Sequence, residues 1–128
     1  MEPLVIQPTA DTPGIRFDAE ENVFEISDTS WPEDAAKFYA PVVDWLEEYF
    51  KMPNKYTLME FKMRYFNTSS AKQFARILGL LQSKSTQYSI KVLWYYENDD
   101  REMLKAGQRF SKLIGVDFET ISLANSLI

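Results

Sequence analysis

Hydrophobic and polar residues alternate along one stretch of this chain with a period of two. Between residues 56 and 66, Met59, Phe61, Met63 and Tyr65 alternate with charged side chains. Successive side chains of a β-strand point to opposite faces, so this pattern predicts a strand with one apolar and one polar face. We expect the four apolar residues to face the core.

Three other segments have apolar residues at the three- and four-residue spacing of an amphipathic helix. The apolar positions are Phe38, Val42, Trp45, Leu46 and Tyr49 in the first, Ala71, Phe74, Ala75, Leu78 and Leu81 in the second, and Met103, Leu104, Gly107, Phe110, Leu113 and Ile114 in the third. The stretch Ser30-Trp31-Pro32-Glu33 has the capping-box pattern, so we expect the first helix to start at Ser30. Pro41 is expected to kink or divide that helix.

Short apolar runs predict the remaining strands, at residues 4–7, 15–18, 23–26, 88–96 and 116–121. The predicted order is therefore β-β-β-α-β-α-β-α-β. Strands that alternate with helices favour parallel pairs with right-handed crossovers, whereas the opening hairpin adds antiparallel pairing. We predict an α/β fold with a mixed sheet packed by about three to four helices, in a single domain spanning residues 1–128.

The composition narrows the range of partners. A formal charge of -5 and a pI near 4.8 argue against sequence-independent nucleic-acid binding, which depends on Lys and Arg. No run approaches the roughly 18 apolar residues of a membrane-spanning helix, and the first residues lack the basic flank and apolar core of a signal peptide. We expect a cytoplasmic protein that neither binds nucleic acid nor inserts into a membrane.

The chain has no cysteine and no histidine, which removes thiolate nucleophiles, imidazole bases and the usual transition-metal ligand sets. An enzyme would have to use carboxylates, for example Glu97, Asp99 and Asp100 around a divalent metal ion. The simpler interpretation makes Asp99 the N-cap of the third helix and Asp100 a first-turn residue. We expect no metal and no cofactor.

Four consecutive small polar residues stand between a predicted strand and the second predicted helix. Ser70, with Gln73 three residues later, is sufficient as a capping box. This leaves Asn67, Thr68 and Ser69 without an evident capping role, although capping is the ordinary role of such residues.

The amino end of a helix favours an anion, because its first amides are unpaired and the helix dipole is positive there. A phosphoryl group on Thr68 would add a charge of about -1.5 to -2 at this position, near the cations Arg64 and Lys72. The residues alone leave a phosphorylation site and a purely structural cap as alternatives.

Aromatic and acidic residues lie together at the end of the strand over residues 88–96. Tyr95 and Tyr96 close this strand, and aromatic residues of this kind serve either as core or as interface anchors. With the following Asp99 and Asp100 they are candidate partner-binding residues.

Four stretches together resemble the SiaC-type regulatory phosphoproteins. The stretches are PTADTPGIRFD, FEISDTSWPEDAAKFYAPVVDWLEEY, FKMRYFNTSSAKQF and KVLWYYENDDREMLKAGQRF. The resemblance covers nearly the whole chain and implies a fold similar to that of anti-sigma-factor antagonists. Two sites depart from the family pattern: Asp28-Thr29 stands where a glycine and often a basic residue are expected, and Glu21-Asn22 replaces a glycine-containing turn.

The resemblance also implies a function. It implies a regulator without enzymatic activity, phosphorylated by a cognate protein kinase on a threonine that falls on Thr68 and dephosphorylated by a PP2C-type phosphatase. The unphosphorylated form would bind and activate a diguanylate cyclase, and so control cyclic-di-GMP-dependent biofilm formation and aggregation. Asn67, Ser69, Ser70, Arg64 and Lys72 would surround the phosphorylation site. A scaffold protein that is never modified is the remaining alternative.

Overall fold

The computed structural model describes residues 1–126 of the chain, with side chains up to residue 124. The elements are β1 Leu4–Ile6, β2 Gly14–Asp18, β3 Val23–Ser30, α1 Ala35–Tyr49, β4 Tyr56–Phe66, α2 Thr68–Lys84, β5 Ser89–Tyr96, α3 Arg101–Leu113, β6 Asp117–Ser122 and α4 Leu123–Ser126. The predicted order of strands and helices is confirmed, with α4 as a short addition after β6. The prediction of a single domain over residues 1–128 includes two residues outside the described part.

The six strands form one sheet in which spatial order follows chain order, from β1 to β6. Strands β1, β2 and β3 pair antiparallel, whereas β3, β4, β5 and β6 pair parallel. Each parallel pair is connected by a helix, as a crossover between parallel strands requires. The mixed sheet predicted from the sequence is therefore present.

The helices bury alternate strand residues on one face of the sheet. The core contains the strand residues Ile15, Phe17, Phe24, Ile26, Met59, Phe61, Met63, Ile90, Val92 and Trp94. The other face carries ion pairs, in which Lys62 Nζ lies 3.3 Å from Glu25 Oε1 and Lys91 Nζ lies 2.9 Å from Glu119 Oε1. Among residues 1–126, no helix has the length and apolar character needed to span a membrane.

The start of α1 differs from the prediction. Ser30 does not cap this helix, because it is the last residue of β3 and pairs with Phe66 of β4. The cap is Asp34, whose carboxylate accepts a hydrogen bond of 3.1 Å from the amide of Lys37. Pro41 lies inside α1 without dividing it.

The start of α3 also differs from the prediction by one residue. Asp100 caps the helix by accepting a hydrogen bond of 3.0 Å from the amide of Met103. Asp99 is instead an exposed residue of the preceding turn. This turn is closed by a hydrogen bond of 2.9 Å from the amide of Asp100 to the carbonyl of Glu97. The turn therefore places Asp100, and not Asp99, at the cap position.

Most residues of the predicted helix faces point to the core. Ala75 and Leu113 are exposed, and Ile77 occupies a buried position in α2 that the predicted stripe omitted. The stripe of α2 is therefore centred on Phe74, Ile77, Leu78 and Leu81, next to the buried Ser70.

Helix α3 lies close to β5 at Gly107. The indole Nε1 of the buried Trp94 donates a hydrogen bond of 2.9 Å to the carbonyl of Met103, and a Cβ atom at Gly107 would overlap the indole ring. We predict that Gly107→Ala lowers the free energy of unfolding by about 1–3 kcal/mol, since a tightly packed core does not accept added atoms. Urea denaturation measures this change.

The matched control is Gly79→Ala in α2, where an added Cβ would have no neighbour within 4 Å. This substitution should raise the free energy of unfolding by about 0.5–1 kcal/mol, because alanine loses less conformational entropy in a helix than glycine does. Equal effects of the two substitutions would contradict the close approach of α3 to Trp94.

Candidate functional site

The four small polar residues before and within the first turn of α2 have separate roles. Asn67 is the N-cap, with its side-chain oxygen accepting a hydrogen bond of 2.9 Å from the amide of Ser70. The prediction that Ser70 caps the helix is wrong. An asparagine before the helix serves as a cap as readily as a serine does, and Ser70 lies inside the first turn.

Ser70 instead belongs to a buried chain of hydroxyl groups. Ser30 and Ser70 are both fully buried, and their Oγ atoms lie 2.7 Å apart. Ser70 Oγ also donates a bond of 2.9 Å to the carbonyl of Ser30, and the hydroxyl of Tyr39 lies 2.7 Å from Ser30 Oγ. These residues join the end of β3, the start of α2 and the middle of α1.

Each hydroxyl of this chain has one proton, which fixes the direction of its hydrogen bonds. Ser70 donates to the carbonyl of Ser30, so Ser30 Oγ donates to Ser70 and the hydroxyl of Tyr39 donates to Ser30 Oγ. Burial raises the pKa of Tyr39 well above its ordinary value. Tyr39 therefore keeps its proton and remains a donor.

Gln73 does not reach back to the helix start as expected for a capping box. Its side-chain oxygen is buried and has no hydrogen-bond partner among the described residues. Since Asn67 already caps α2, the first turn does not need Gln73.

Thr68 and Ser69 remain exposed, at the first and second positions of α2. Within the described part of the chain, neither hydroxyl has a side-chain hydrogen bond, in contrast to Asn67 and Ser70. Their amides belong to the first helical turn, which has no acceptor four residues earlier. The structure thus leaves two exposed hydroxyls beside unpaired amides at the positive end of a helix.

A β-bulge in β4 presents Arg64 near this helix start. Asp28 pairs with Met63 and Thr29 with Tyr65, so Arg64 is an extra residue without a partner in β3. The bulge shifts the alternation of side chains by one position. The prediction that Tyr65 faces the core is therefore wrong, since it is 51% exposed and Phe66 packs on Phe74 in its place.

Tyr65 and Trp31 form an exposed aromatic pair beside the helix start. Their ring centroids lie 6.1 Å apart at an interplanar angle of 84°, and Trp31 is 52% exposed. Two large rings in contact with each other and with water are typical of interface anchors.

Thr68 lines a groove of about 400 Å³ between α2 and α3. We call it the α2–α3 groove. Its apolar residues are Phe66, Ala71, Met103 and Ala106, and its charged residues are Arg64, Asp100, Glu102 and Arg109. Arg109 was not among the predicted site residues, although Met103, Ala106 and Arg109 follow one another at three-residue intervals on α3.

Ser69 and Lys72 line a different cavity, between the starts of α1 and α2. This second cavity has a volume of about 1040 Å³ and also contains Lys37 and the α1 cap Asp34. The residues expected to surround Thr68 are therefore divided between two sites. Arg64 and Asn67 line the α2–α3 groove, whereas Lys72 lies on the opposite side of α2.

Three of the candidate partner-binding and acidic residues line a third cavity, of about 350 Å³, at the same end of the sheet. This cavity contains Tyr95, Glu97 and Asp100, and it shares Arg64 and Asp100 with the α2–α3 groove. Tyr96 is partly buried against the core, and Asp99 is exposed in the turn and lines neither space. The carboxyl ends of the parallel strands and the starts of the helices meet at this end of the sheet, where ligands of α/β sheets usually bind.

Tyr95 lies on the open face of the sheet and donates a hydrogen bond of 2.7 Å to the carboxylate of Glu60. Lys62 Nζ lies 5.3 Å from the centroid of its ring. The pKa of Tyr95 is raised to about 12, mainly by partial burial and secondly by the hydrogen bond to Glu60. Its hydroxyl is therefore a neutral donor at physiological pH.

The predicted alternative of a metal site finds no support in the geometry. No group of three or more acidic side chains in the described part of the chain is arranged to hold a metal ion. Asp100 is engaged as the cap of α3, and Asp99 and Glu97 are exposed.

Comparison with known proteins identifies the family. The model of the SiaC family of regulatory phosphoproteins matches residues 6–123. The chain belongs to the SiaC family. An uncharacterised protein of Pseudomonas aeruginosa strain UCBPP-PA14 is 25% identical over 111 residues, which cover 86% of this chain and 88% of the relative. The family is one of regulatory proteins, and the expectation that the chain is not an enzyme is confirmed.

Solved structures of SiaC from Pseudomonas aeruginosa have the same fold. One matches with a TM-score of 0.86 at 24% identity over 95% of this chain and 99% of that chain. The apo form matches with a TM-score of 0.87 at 25% identity over 95% of this chain and all of that chain. A chain in the crystal structure of the diguanylate cyclase SiaD with its activator SiaC matches with a TM-score of 0.85, at 23% identity over 92% of this chain and 99% of that chain.

Each of the two departures from the SiaC family pattern includes one residue at a special backbone position. Asn22 and Asp28 have φ angles of 56° and 72°, in the left-handed region that glycine adopts most readily. Asp28 directly precedes the register shift between β3 and β4, so its conformation is part of the bulge that presents Arg64. Asparagine and aspartate are the residues other than glycine that best tolerate this region.

We predict that Ser30→Ala lowers the free energy of unfolding by about 1–3 kcal/mol. The substitution leaves the buried hydroxyls of Tyr39 and Ser70 without their shared partner. Urea denaturation measures the effect. The double variant Ser30→Ala/Tyr39→Phe removes both ends of one bond and should recover part of the loss. A double variant that loses at least as much free energy of unfolding as the two single variants together would contradict the hydrogen bond between Tyr39 and Ser30.

Proposed function

We propose that the protein is a partner-switching regulator and that Thr68 is its phosphorylated residue. The observation that carries this proposal is the separation of roles at the start of α2. Asn67 and Ser70 are committed to structural hydrogen bonds, whereas the hydroxyl of Thr68 is exposed and lies in the α2–α3 groove. A kinase can reach this oxygen without opening the core.

Phosphorylation of Thr68 acts locally in this proposal. The modified residue carries a charge of about -1.5 to -2 at neutral pH, next to unpaired amides at the start of α2. The Asn67 cap and the buried bonds of Ser70 hold the turn beneath it. The phosphoryl group therefore changes the charge and shape of a surface and leaves the fold unchanged.

The partner in this proposal is a diguanylate cyclase. SiaC of Pseudomonas aeruginosa is the activator of the diguanylate cyclase SiaD in their crystal complex, and a chain of that complex shares this fold. The unphosphorylated form would bind and activate the cyclase in the cytoplasm, and so affect cyclic-di-GMP-dependent biofilm formation and aggregation. A cognate kinase would add the phosphoryl group and a PP2C-type phosphatase would remove it.

The candidate contact residues for the cyclase lie next to Thr68, at the carboxyl ends of the parallel strands. Tyr95 and Asp100 line the cavity that adjoins the α2–α3 groove, and Asp99 is exposed nearby. Tyr96, the remaining candidate, is partly buried against the core. A phosphoryl group on Thr68 thus lies within the surface proposed for the cyclase.

Thr68→Ala should abolish phosphorylation in the native host without loss of stability. The matched control is Ser69→Ala, which removes the neighbouring exposed hydroxyl from the other side of α2. Intact mass spectrometry of protein purified from its own cells, with and without phosphatase treatment, measures the mass added by phosphate. Full phosphorylation of the Thr68→Ala protein would refute the assignment, and an unmodified wild-type protein would favour the scaffold alternative.

Thr68→Glu should weaken binding to the cognate cyclase about tenfold or more, which corresponds to about 1.4 kcal/mol. The added carboxylate lies in the proposed contact surface and imposes repulsion and desolvation there. Ser69→Glu places the same charge one residue later, where the side chain faces the cavity between α1 and α2. Isothermal titration calorimetry of both variants measures the difference, and equal affinities would exclude the α2–α3 groove as the contact surface.

A further inference from the structure

We propose that Arg64 and Arg109 together form the receptor for a phosphoryl group on Thr68. This inference rests on the proposed function, because it specifies how the modified form is held. Arg64 comes from the bulge of β4 and Arg109 from α3. The phosphoryl group would therefore connect β4, the start of α2 and α3.

The position of the two arginines supports this role. Both line the α2–α3 groove together with Thr68. Among the side chains that the structure describes, ion pairs involve only lysines, and neither arginine has a hydrogen bond or an ion pair. Two exposed guanidinium groups beside an exposed hydroxyl are thus available for an anion that the unmodified protein does not supply.

The chemistry of the groove favours a phosphoryl group over a smaller anion. A guanidinium group has paired N–H donors that match two phosphate oxygens, which makes arginine the usual residue for bidentate phosphate recognition. Thr68 is the first residue of α2, so its phosphate oxygens can also accept bonds from the unpaired amides of that turn. Two guanidinium groups and these amides provide donors for the three terminal oxygens.

The acidic residues of the groove repel a phosphoryl group. The arginines must offset this repulsion. Asp100 and Glu102 of α3 line the same space. Asp100 is oriented toward the amide of Met103, and Glu102 lies about two helical turns, roughly 10 Å, before Arg109. Without the arginines, a dianion at Thr68 would face only the helix start and two carboxylates.

The test uses the full chain with phosphothreonine incorporated at position 68 during synthesis, so that it does not depend on the kinase. Phosphorus NMR against pH gives the second pKa of the phosphoryl group, which is about 6 in an unstructured peptide. We expect a lower pKa in the folded protein, because nearby positive charge favours the dianion. Arg64→Gln and Arg109→Gln should each raise it by about half a unit, a threefold change in proton affinity.

Lys72→Gln is the matched control, because it removes a cation from the opposite side of α2. It should leave the titration unchanged. Arg109→Lys keeps the charge and should retain most of the lowered pKa, which separates an electrostatic contact from a structural effect of the substitution. The same variants measured by circular dichroism confirm that the fold is intact.

A wild-type pKa equal to that of the peptide, or equal shifts in the Lys72→Gln and Arg109→Gln proteins, would overturn the proposal. A lowered pKa that depends on both arginines would support it, even if Thr68 proves unmodified in the native cells. In that case the proposed function fails and the phosphate-binding property of the groove remains.

Discussion

The position of Thr68 depends on the backbone and side chain of one buried serine. The carbonyl of Ser30 accepts hydrogen bonds from the amide of Asn67 at 3.1 Å and from Ser70 Oγ at 2.9 Å. Its own hydroxyl bonds to Ser70 and Tyr39. The end of β3 thus fixes the entrance of α2 on two sides, and a buried polar network of this kind tolerates few other arrangements. The exposed hydroxyl of Thr68 is presented by a rigid support.

Helix geometry explains why adjacent polar residues have such different surroundings. Each residue of an α-helix is rotated about 100° from the one before it. Thr68 therefore faces the α2–α3 groove, Ser69 faces the cavity beside α1, and Ser70 points into the core. The hydroxyl of Ser70 is used by the fold, and the other two are available to solvent. A modification at Thr68 and one at Ser69 would thus affect different surfaces.

Periodicity predicted the mixed sheet and the order of its elements, because alternation and helical spacing are local properties of the chain. Two of the errors arose where pairing with another strand decides the outcome. The capping-box pattern at Ser30 was overridden by pairing of β3 with β4, and the alternation through Tyr65 was broken by the bulge at Arg64. Arg109 was missed because its approach to Thr68 depends on the packing of α3. The family resemblance, and not the residue pattern, singled out Thr68.

The charges of the α2–α3 groove give a physical reason why the proposed modification of Thr68 would act as a switch. Two arginines and two carboxylates line it, so their formal charges cancel in the unmodified protein. Its floor is apolar, and a partner segment can cover this surface without burying a net charge. In the proposed switch, a phosphoryl group on Thr68 would bind the two arginines and leave the groove negative, so that covering it would require burying an excess of negative charge. The proposed change in binding would then follow from local electrostatics, without any movement of the sheet.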